Sequence, residues 1–363
     1  MSSSVGEMIR ISIFGESHGE AIGVVLDNLP AGCSIDEEQL ALQMARRAPG
    51  RDATSTPRRE GDNVRIVSGL LNGKTTGAPL CGMIENTNTR SSDYESLRVL
   101  PRPGHADYTG AVRYNGANDV RGGGHFSGRL TAPLTFAGAI CRQILSLHGI
   151  RIGAHALQIA SVKDAAFDSV DIPDALLERL SSEYFSLIDR SVQPAMVQEI
   201  ESARLQFDSV GGVVECAVTG LPAGIGSPMF YGVENVLSSI LFGIPAVKGV
   251  EFGDGFAAAS LRGSENNDAF TAESNQVKTV TNHSGGILGG ITTGMPVIVR
   301  AAFKPTPSIG REQATVNLTT LQNEPLVIHG RHDPCIVPRA IPVVEAAVAV
   351  GLINLMAERG KLV

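Results

Sequence analysis

The 363-residue chain contains no tryptophan and only 5 tyrosines, so it is poor in the flat side chains on which unpaired bases stack. It also lacks an excess of positive charge. Its 30 Lys and Arg against 37 Asp and Glu give a formal net charge of -7, which removes the broad basic footprint of a nucleic-acid binder. Arginine clusters in such an acidic chain suit small anions instead. No window approaches the ~20 apolar residues of a membrane span, and the start, MSSSVGEMIRISIFGESHG, lacks a basic segment followed by a long apolar run. A cytoplasmic chain with neither membrane nor nucleic-acid partner is therefore expected. The 5 cysteines, at 33, 81, 141, 216 and 335, are odd in number, scattered and without a CxxC pair, which argues against a disulfide framework or a redox dithiol and fits a reducing compartment. His18, His105, His125 and His332 form no HxxxH or comparable pair, so no metal is expected.

Apolar residues make up 43% of the chain, enough for a sizeable core, and its 41 glycines and 19 prolines follow no period, which points to many turns and close backbone approaches. Residues 9 to 14 (IRISIF) read as a strand entering the turn at Gly15. Ser34 or Asp36 is placed to cap a helix over about Glu37 to Arg47 that Pro49-Gly50 ends. Residues 64 to 71 and 78 to 84 read as strands around Asn72-Gly73, followed by a polar loop to about residue 110. Thr131 to His148 is apolar enough for a buried helix stopped by Gly149. Beyond it the pattern suggests a strand at 150 to 161, an exposed helix at 171 to 189, an amphipathic helix at 191 to 206, and strand with turn at 210 to 224. A helix at 232 to 247, Gly-rich strands at 280 to 303 and a long apolar helix at 338 to 358 complete it. VVECAVTGLPAG, ending at Gly224, echoes IGVVLDNLPAG, ending at Gly32, and an internal duplication is one reading of that echo. No linker composition divides the chain.

Several motifs carry chemistry. GESHG (15 to 19) presents Glu16, Ser17 and His18 between glycines at a strand end. Its spacing matches a nucleophile elbow, but the following EAIGVVLD reads as strand where an elbow needs a helix. RPGHADY (102 to 108) sets a histidine and an aspartate two apart beside an arginine, groups able to relay protons near neutrality. RGGGHFSGR (121 to 129) leads into the apolar helix, where free backbone amides would attract an anion; it is neither a Walker loop nor a dinucleotide fingerprint. Arg46, Arg47, Arg51, Arg58 and Arg59 cluster, Arg121 and Arg129 flank the glycines, and Arg331 and Arg339 flank the HDPC of GRHDPC (330 to 335). Guanidinium forks bind carboxylate and phosphate bidentately, although pairing with Glu37, Glu38 and Glu60 on a solvated surface would account for some of them. KPTPS (304 to 308) adds a lysine and hydroxyls in a proline-stiffened loop suited to a phosphate. These pieces support an enzyme acting on a small polyanion and leave its reaction open.

In order, GESHG, RRAPG, RPGHADY, RGGGHFSGR, AVKGVEFG, GGILGG, KPTPS and GRHDPC resemble the motif series of the chorismate synthase family, from residue 10 to about 350. The resemblance implies an α/β fold, a single-domain β-α-β sandwich of antiparallel sheets and helices over residues 1 to 363, usually a homotetramer. It implies conversion of 5-enolpyruvylshikimate 3-phosphate to chorismate by anti 1,4-elimination of phosphate, with reduced FMN as cofactor and no net redox change. By motif position His18 would protonate the leaving phosphate, His105 would stand near flavin N1, and Asp333 would help flavin N5 accept the C6 proton. Ser17, Arg46, Arg47, Arg121, Arg129 and Arg339 would bind the anionic substrate. His125, Phe126, Ser127, Pro245, Ala246, Gly289, Lys304, Pro305, Thr306, Pro307, Ser308 and Arg331 would hold the flavin.

The chain departs from the family's commoner pattern at His125-Phe126-Ser127, where many members have RSS, at Pro245, where they have Asn, and at Ala53, where an arginine linked to NADPH often stands. A methyl group offers that nucleotide no donor, so a separate flavin reductase is expected as a partner. The departures also leave a non-catalytic flavin or phosphate-ligand binding protein on the same scaffold as the alternative.

Overall fold

The computed structural model describes residues 3–50, 61–87, 96–273, 275–328 and 333–362. The expectations placed on Arg51, Ala53, Arg58, Arg59, Arg331 and His332 lie outside the described residues.

Two antiparallel five-stranded sheets enclose a layer of helices. The first contains β1 (Ser4–Val5), β2 (Arg10–Gly15), β3 (Ala21–Asp27), β4 (Arg65–Ser68) and β5 (Leu80–Glu85) in the order β1-β2-β3-β5-β4. The second contains β6 (Arg151–Ile159), β7 (Val162–Lys163), β8 (Gly212–Thr219), β9 (Val247–Phe252) and β10 (Val297–Phe303) in the order β7-β6-β8-β10-β9. Between them lie α1 (Glu37–Arg47), α2 (Thr131–Ser146), α3 (Val233–Leu241) and α4 (Val337–Glu358). Ile22, Val24 and Leu26 of β3 and Val214, Cys216 and Val218 of β8 turn inward onto these helices and join one continuous core.

That placement explains the apolar helices. A helix covered by sheets on both sides buries nearly its whole circumference, which erases the one-sided pattern of a surface helix. The helix α4 corrects the expectation of no span-length segment: it is long and apolar enough to cross a membrane, at a mean hydropathy of 2.0, but 94% of that window is buried inside the protein. A Cβ on Gly138 would stand 2.2 Å from the Cα and Cβ of Ala346, so the glycine is what lets α2 and α4 cross in contact.

The duplication is present. The segments β2, β3, α1, β4, a hairpin, β5 and α2 recur as β6, β8, α3, β9, a hairpin, β10 and α4. Each half closes its LPAG turn with the same threonine device. Thr75 Oγ1 donates to Pro30 O at 2.6 Å and accepts from Cys33 N at 2.9 Å, while Gly32 N reaches Thr75 O at 2.7 Å. Thr292 Oγ1 likewise donates to Pro222 O at 2.7 Å and accepts from Ile225 N at 2.9 Å, with Gly224 N on Thr292 O at 2.9 Å. The echo extends to NGKTTGAP (72 to 79) and GGITTGMP (289 to 296), which place these threonines.

Two helices are shorter than the sequence pattern suggests. In place of a helix over 171 to 189 there is one turn pair, Asp174–Leu180. The carbonyls that would continue it instead accept from Arg46, whose Nε reaches Glu183 O at 2.8 Å and whose Nη2 reaches Leu180 O at 3.2 Å. The helix expected over 232 to 247 ends at Leu241, before Gly243 and Pro245, and β9 begins at Val247. By contrast α1 runs from Glu37 to Arg47 as expected, with the Asp36 carboxylate accepting from Glu38 N at 2.9 Å and Gln39 N at 3.1 Å.

Candidate active site

At the end of the helix layer where α2 and α4 begin, both halves open onto a cavity of about 690 Å³. One wall is basic, formed by Arg47, Arg102, Arg129 and Arg339. Another is apolar, formed by Phe242, Ile244, Pro245, Ala246 and Val247 after α3, with Phe126, Phe303, Ile336 and Val343. Lys248 and Lys304 add ammonium groups.

The basic wall is assembled from buried groups. Arg47, at the last position of α1, donates from Nε to Thr131 Oγ1 at 3.0 Å, from Nη2 to Gly128 O at 2.7 Å and from Nη1 to Asp62 at 2.8 Å. Burial, helped by the neighbouring Arg339 and Arg129, lowers the Arg47 pKa to about 10 against the opposing pull of Asp62, which leaves it protonated at neutral pH. Arg339 donates to Arg47 O at 3.0 Å and pairs with Asp333. Burial would lower the pKa of Arg339, but the Asp333 carboxylate holds it above its ordinary value.

Two histidines lie against the glycine run, His18 at Gly122 and His105 at Gly123. His105 Nδ1 lies 2.6 Å from Asp107 Oδ1, and Arg102 grips the same carboxylate through Nε at 2.7 Å and Nη2 at 2.8 Å while reaching Ser308 Oγ at 3.1 Å. Burial alone would raise Asp107; the hydrogen bonds from Arg102 and His105 outweigh it and hold the carboxyl well below the usual range. An ionised Asp107 accepts, so Nδ1–H is the donor to it, and Arg102 Nη2 lies 3.0 Å from Nδ1 and 3.4 Å from Nε2 of the same ring. His18 is 7% exposed behind Gly122.

The glycines of the RGGG run also admit neighbouring side chains. Gly122, Gly123 and Gly124 all have positive φ (60°, 84° and 55°). A Cβ on Gly122 would meet His18 Cδ2 at 2.5 Å and Ser17 Oγ at 2.7 Å, and one on Gly123 would meet His105 Nε2 at 3.2 Å. Their missing side chains admit both imidazoles, and the Gly123 amide is already bound to Val120 O at 3.1 Å. The RGGG segment is therefore a seat for two histidines.

Of the residues singled out from sequence, Ser17, Arg47, His105, His125, Phe126, Ser127, Arg129, Pro245, Ala246, Lys304, Thr306, Pro307, Ser308, Asp333 and Arg339 line the cavity, and His18 backs it. Four do not. Arg46 is 1% exposed and spends its guanidinium on Glu345, Gln43 and backbone carbonyls, because adjacent helix residues point about 100° apart and only Arg47 faces the cavity. Arg121 is 47% exposed and turned onto Asp119 at 2.7 Å. Gly289 sits with Gly290 in the tight turn of the hairpin Ile287–Leu288 and Ile291–Thr292, both at positive φ, as that turn requires. Pro305 is absent from the lining although its loop is there. His125 uses both ring nitrogens within the protein, Nδ1 on Gly15 O at 2.7 Å and Nε2 on Ser3 Oγ at 2.5 Å, so it serves as wall. The grouping of Arg102, His105 and Asp107 read from RPGHADY is present in the structure, whereas sequence reasoning missed Asp62, for which no local signal exists.

A cavity that combines buried arginines with apolar side chains, lined by one histidine and backed by another, has the make-up of an enzyme site suited to small anions. Residues 9–357 match the family model for chorismate synthase. A chorismate synthase of Dehalococcoides mccartyi is 47% identical over 360 residues, covering 99% of this chain and 98% of the relative. One of Thermococcus kodakarensis is 47% identical over 344 residues, covering 95% and 94%. A crystal structure of chorismate synthase superposes with a TM-score of 0.76 at 26% identity, covering 98% of this chain and 93% of that one. The chain belongs to the chorismate synthase family, and its fold is that family's sandwich.

Proposed function

We propose that the chain is a carbon–oxygen lyase that eliminates phosphate from 5-enolpyruvylshikimate 3-phosphate to give chorismate, with reduced FMN beside the substrate. The observation that carries this reading is the convergence of Arg47, Arg129 and Arg339 on one cavity that also receives His105 and is backed by His18. The substrate's two carboxylates and phosphate match those guanidiniums in charge and in bidentate geometry.

The cavity also suits a flavin. The Phe242–Val247 strip offers an apolar face to a ring system, while Lys248, Lys304, Thr306 and Ser308 offer donors to a phosphate tail. Lys304 already donates to Gly104 O, and burial together with Lys248 lowers its pKa. When bound, reduced FMN supplies an acceptor for the C6 proton and undergoes no net oxidation. The remaining work falls to the chain: the arginines orient the anions, His18 donates a proton to the departing phosphate, Asp107 fixes the tautomer of His105, and Arg339 holds Asp333 at the cavity. Action in the cytosol as a homotetramer is part of the proposal, supported by the exposure of Phe230 (77%) and Phe256 (86%), areas that assembly would cover.

The test is an anaerobic assay of the purified chain with dithionite-reduced FMN and the enolpyruvyl substrate. Chorismate is expected there, and none is expected from NADPH with oxidised FMN unless a flavin reductase is added. No product with chemically reduced flavin would overturn the assignment; product from NADPH alone would overturn the need for a reductase.

A further inference from the structure

Asp62 has a side chain fully closed to solvent (0%) and is not itself part of the cavity lining. Its oxygens are divided between the two arginines at the cavity's basic wall: Oδ2 accepts from Arg47 Nη1 at 2.8 Å and Oδ1 accepts from Arg129 Nη1. Asn86 Oδ1 accepts from Arg129 Nε at 3.3 Å, and Thr131 Oγ1 and Gly128 O accept from Arg47 Nε and Nη2. One buried carboxylate thus brackets both cations from behind. Two guanidiniums in a desolvated wall repel each other, and a bidentate bridge between them offsets that repulsion while fixing both forks in orientation.

We propose that Asp62 is a positioning residue that presets Arg47 and Arg129 as a pair for the substrate's anionic groups. It acts through the arginines, never on the substrate, and this rests on the reading of the cavity as the site of that substrate. Asp62 itself stays ionised: burial pushes its carboxyl up, but Arg47 and Arg129 together hold it below its ordinary value. It also holds the Arg47 guanidinium in its charged form, against burial and the neighbouring Arg339 and Arg129.

The experiment measures substrate affinity by calorimetry, with KM and kcat, for the wild type, Asp62→Asn, Asp62→Glu, Arg129→Ala and the double variant Asp62→Asn with Arg129→Ala. Loss of one charge-assisted bridge predicts an affinity about tenfold or more weaker in Asp62→Asn, with KM moving more than kcat. Asp62→Glu, which keeps the charge, should recover part of the loss. The double variant should lose less than the sum of the two single losses, because part of what Asp62 does passes through Arg129. Unchanged affinity or additive losses would each overturn the proposal, and Asp62→Glu provides the comparison if the Asn variant does not fold. A wild type that binds no substrate would fail the reading of the cavity, whereas a wild type that binds normally with an indifferent Asp62→Asn would fail only the role of Asp62.

Discussion

The two halves of this molecule share a backbone plan and differ in what they place on it. Both run strand, strand, LPAG turn, helix, strand, hairpin, strand, helix, and both send their last helix into the same cavity. The first half brings Ser17, His18, Arg47, Arg102, His105 and Arg129; the second brings the apolar strip from Phe242 to Val247, two lysines, Asp333 and Arg339. A duplicated scaffold thus yields one site with unlike walls. The outer faces diverge as well. On the first sheet Phe14, 37% exposed, lies over Gly23, whose Cβ would meet its ring at 2.4 Å. At the matching register of the second sheet His155 stands opposite Glu215, fully buried. Its Nδ1 is 2.8 Å from Asp164 and its Nε2 is 3.0 Å from Glu215, which also accepts from Arg300 at 2.8 Å.

That contrast predicts the largest effect on stability. His155→Leu leaves two buried carboxylates short of a cation and should cost about 3–5 kcal/mol, whereas Phe14→Ala should cost under about 2 kcal/mol. Urea denaturation of both variants checks this, and equal losses would show the two outer faces to be energetically alike. A pH dependence goes with it. Burial opposes the charge on His155, but Asp164 and Glu215 raise its pKa above 6.5. Its stabilisation is complete below 6.5 and is lost as pH rises through the raised folded value. The carboxyls of Asp164 and Glu215 are lowered from 3.8 and 4.5, so their share is present above those values and is lost on acidification. Thermal melts should show the alkaline loss in the wild type and its reduction in His155→Leu.

The next comparison lies inside the cavity. His105→Ala and His18→Ala, on the first-half wall, should each lower turnover by roughly 10²-fold or more with folding retained. Near-normal turnover in both would remove them from the chemistry. Replacing Asp107 by Asn should reproduce part of the His105 loss, because the tautomer is then no longer fixed. Smaller again is the expected effect of Arg47→Ala, roughly 1.5–3 kcal/mol, seen as substrate affinity weaker by about tenfold or more. Binding measured by calorimetry decides it, and unchanged affinity would return Arg47 to a purely structural part.

What was legible in the sequence was local. Asp36 ahead of a helical pattern, Gly15 and Gly19 around Ser17 and His18, and His105 two residues from Asp107 each carry their signal within a few positions. The ordered motifs supplied the family and with it the sandwich. What was not legible depends on contacts distant in the chain. Asp62 finds Arg129 across 67 positions, and Arg46 finds Glu345 across 299. The early end of the helix at Leu180 follows from that same Arg46, whose buried guanidinium takes the carbonyls a longer helix would have used. The duplication showed in sequence only through its turns, because turn geometry restricts residue choice more tightly than the two faces of a strand do.

The smallest expected effect separates arginines by burial within the first half. Arg121 and Arg129 flank the same glycine run, yet Arg129 is 6% exposed at the cavity wall while the Arg121 side chain is 47% exposed and bound to Asp119. The hydrogen bond to Asp119 is the main reason that the pKa of Arg121 is raised, and that pair lies in solvent where screening leaves an ion pair little net worth. Arg121→Ala should therefore leave turnover and substrate affinity within about twofold of the wild type, while Arg129→Ala weakens affinity by about tenfold or more. Steady-state kinetics over a salt series distinguishes the pair, since a solvated arginine contributes less as ionic strength rises and a desolvated one does not. A loss in Arg121→Ala matching that in Arg129→Ala would mean that Arg121 swings from Asp119 onto the bound substrate and belongs to the cavity wall.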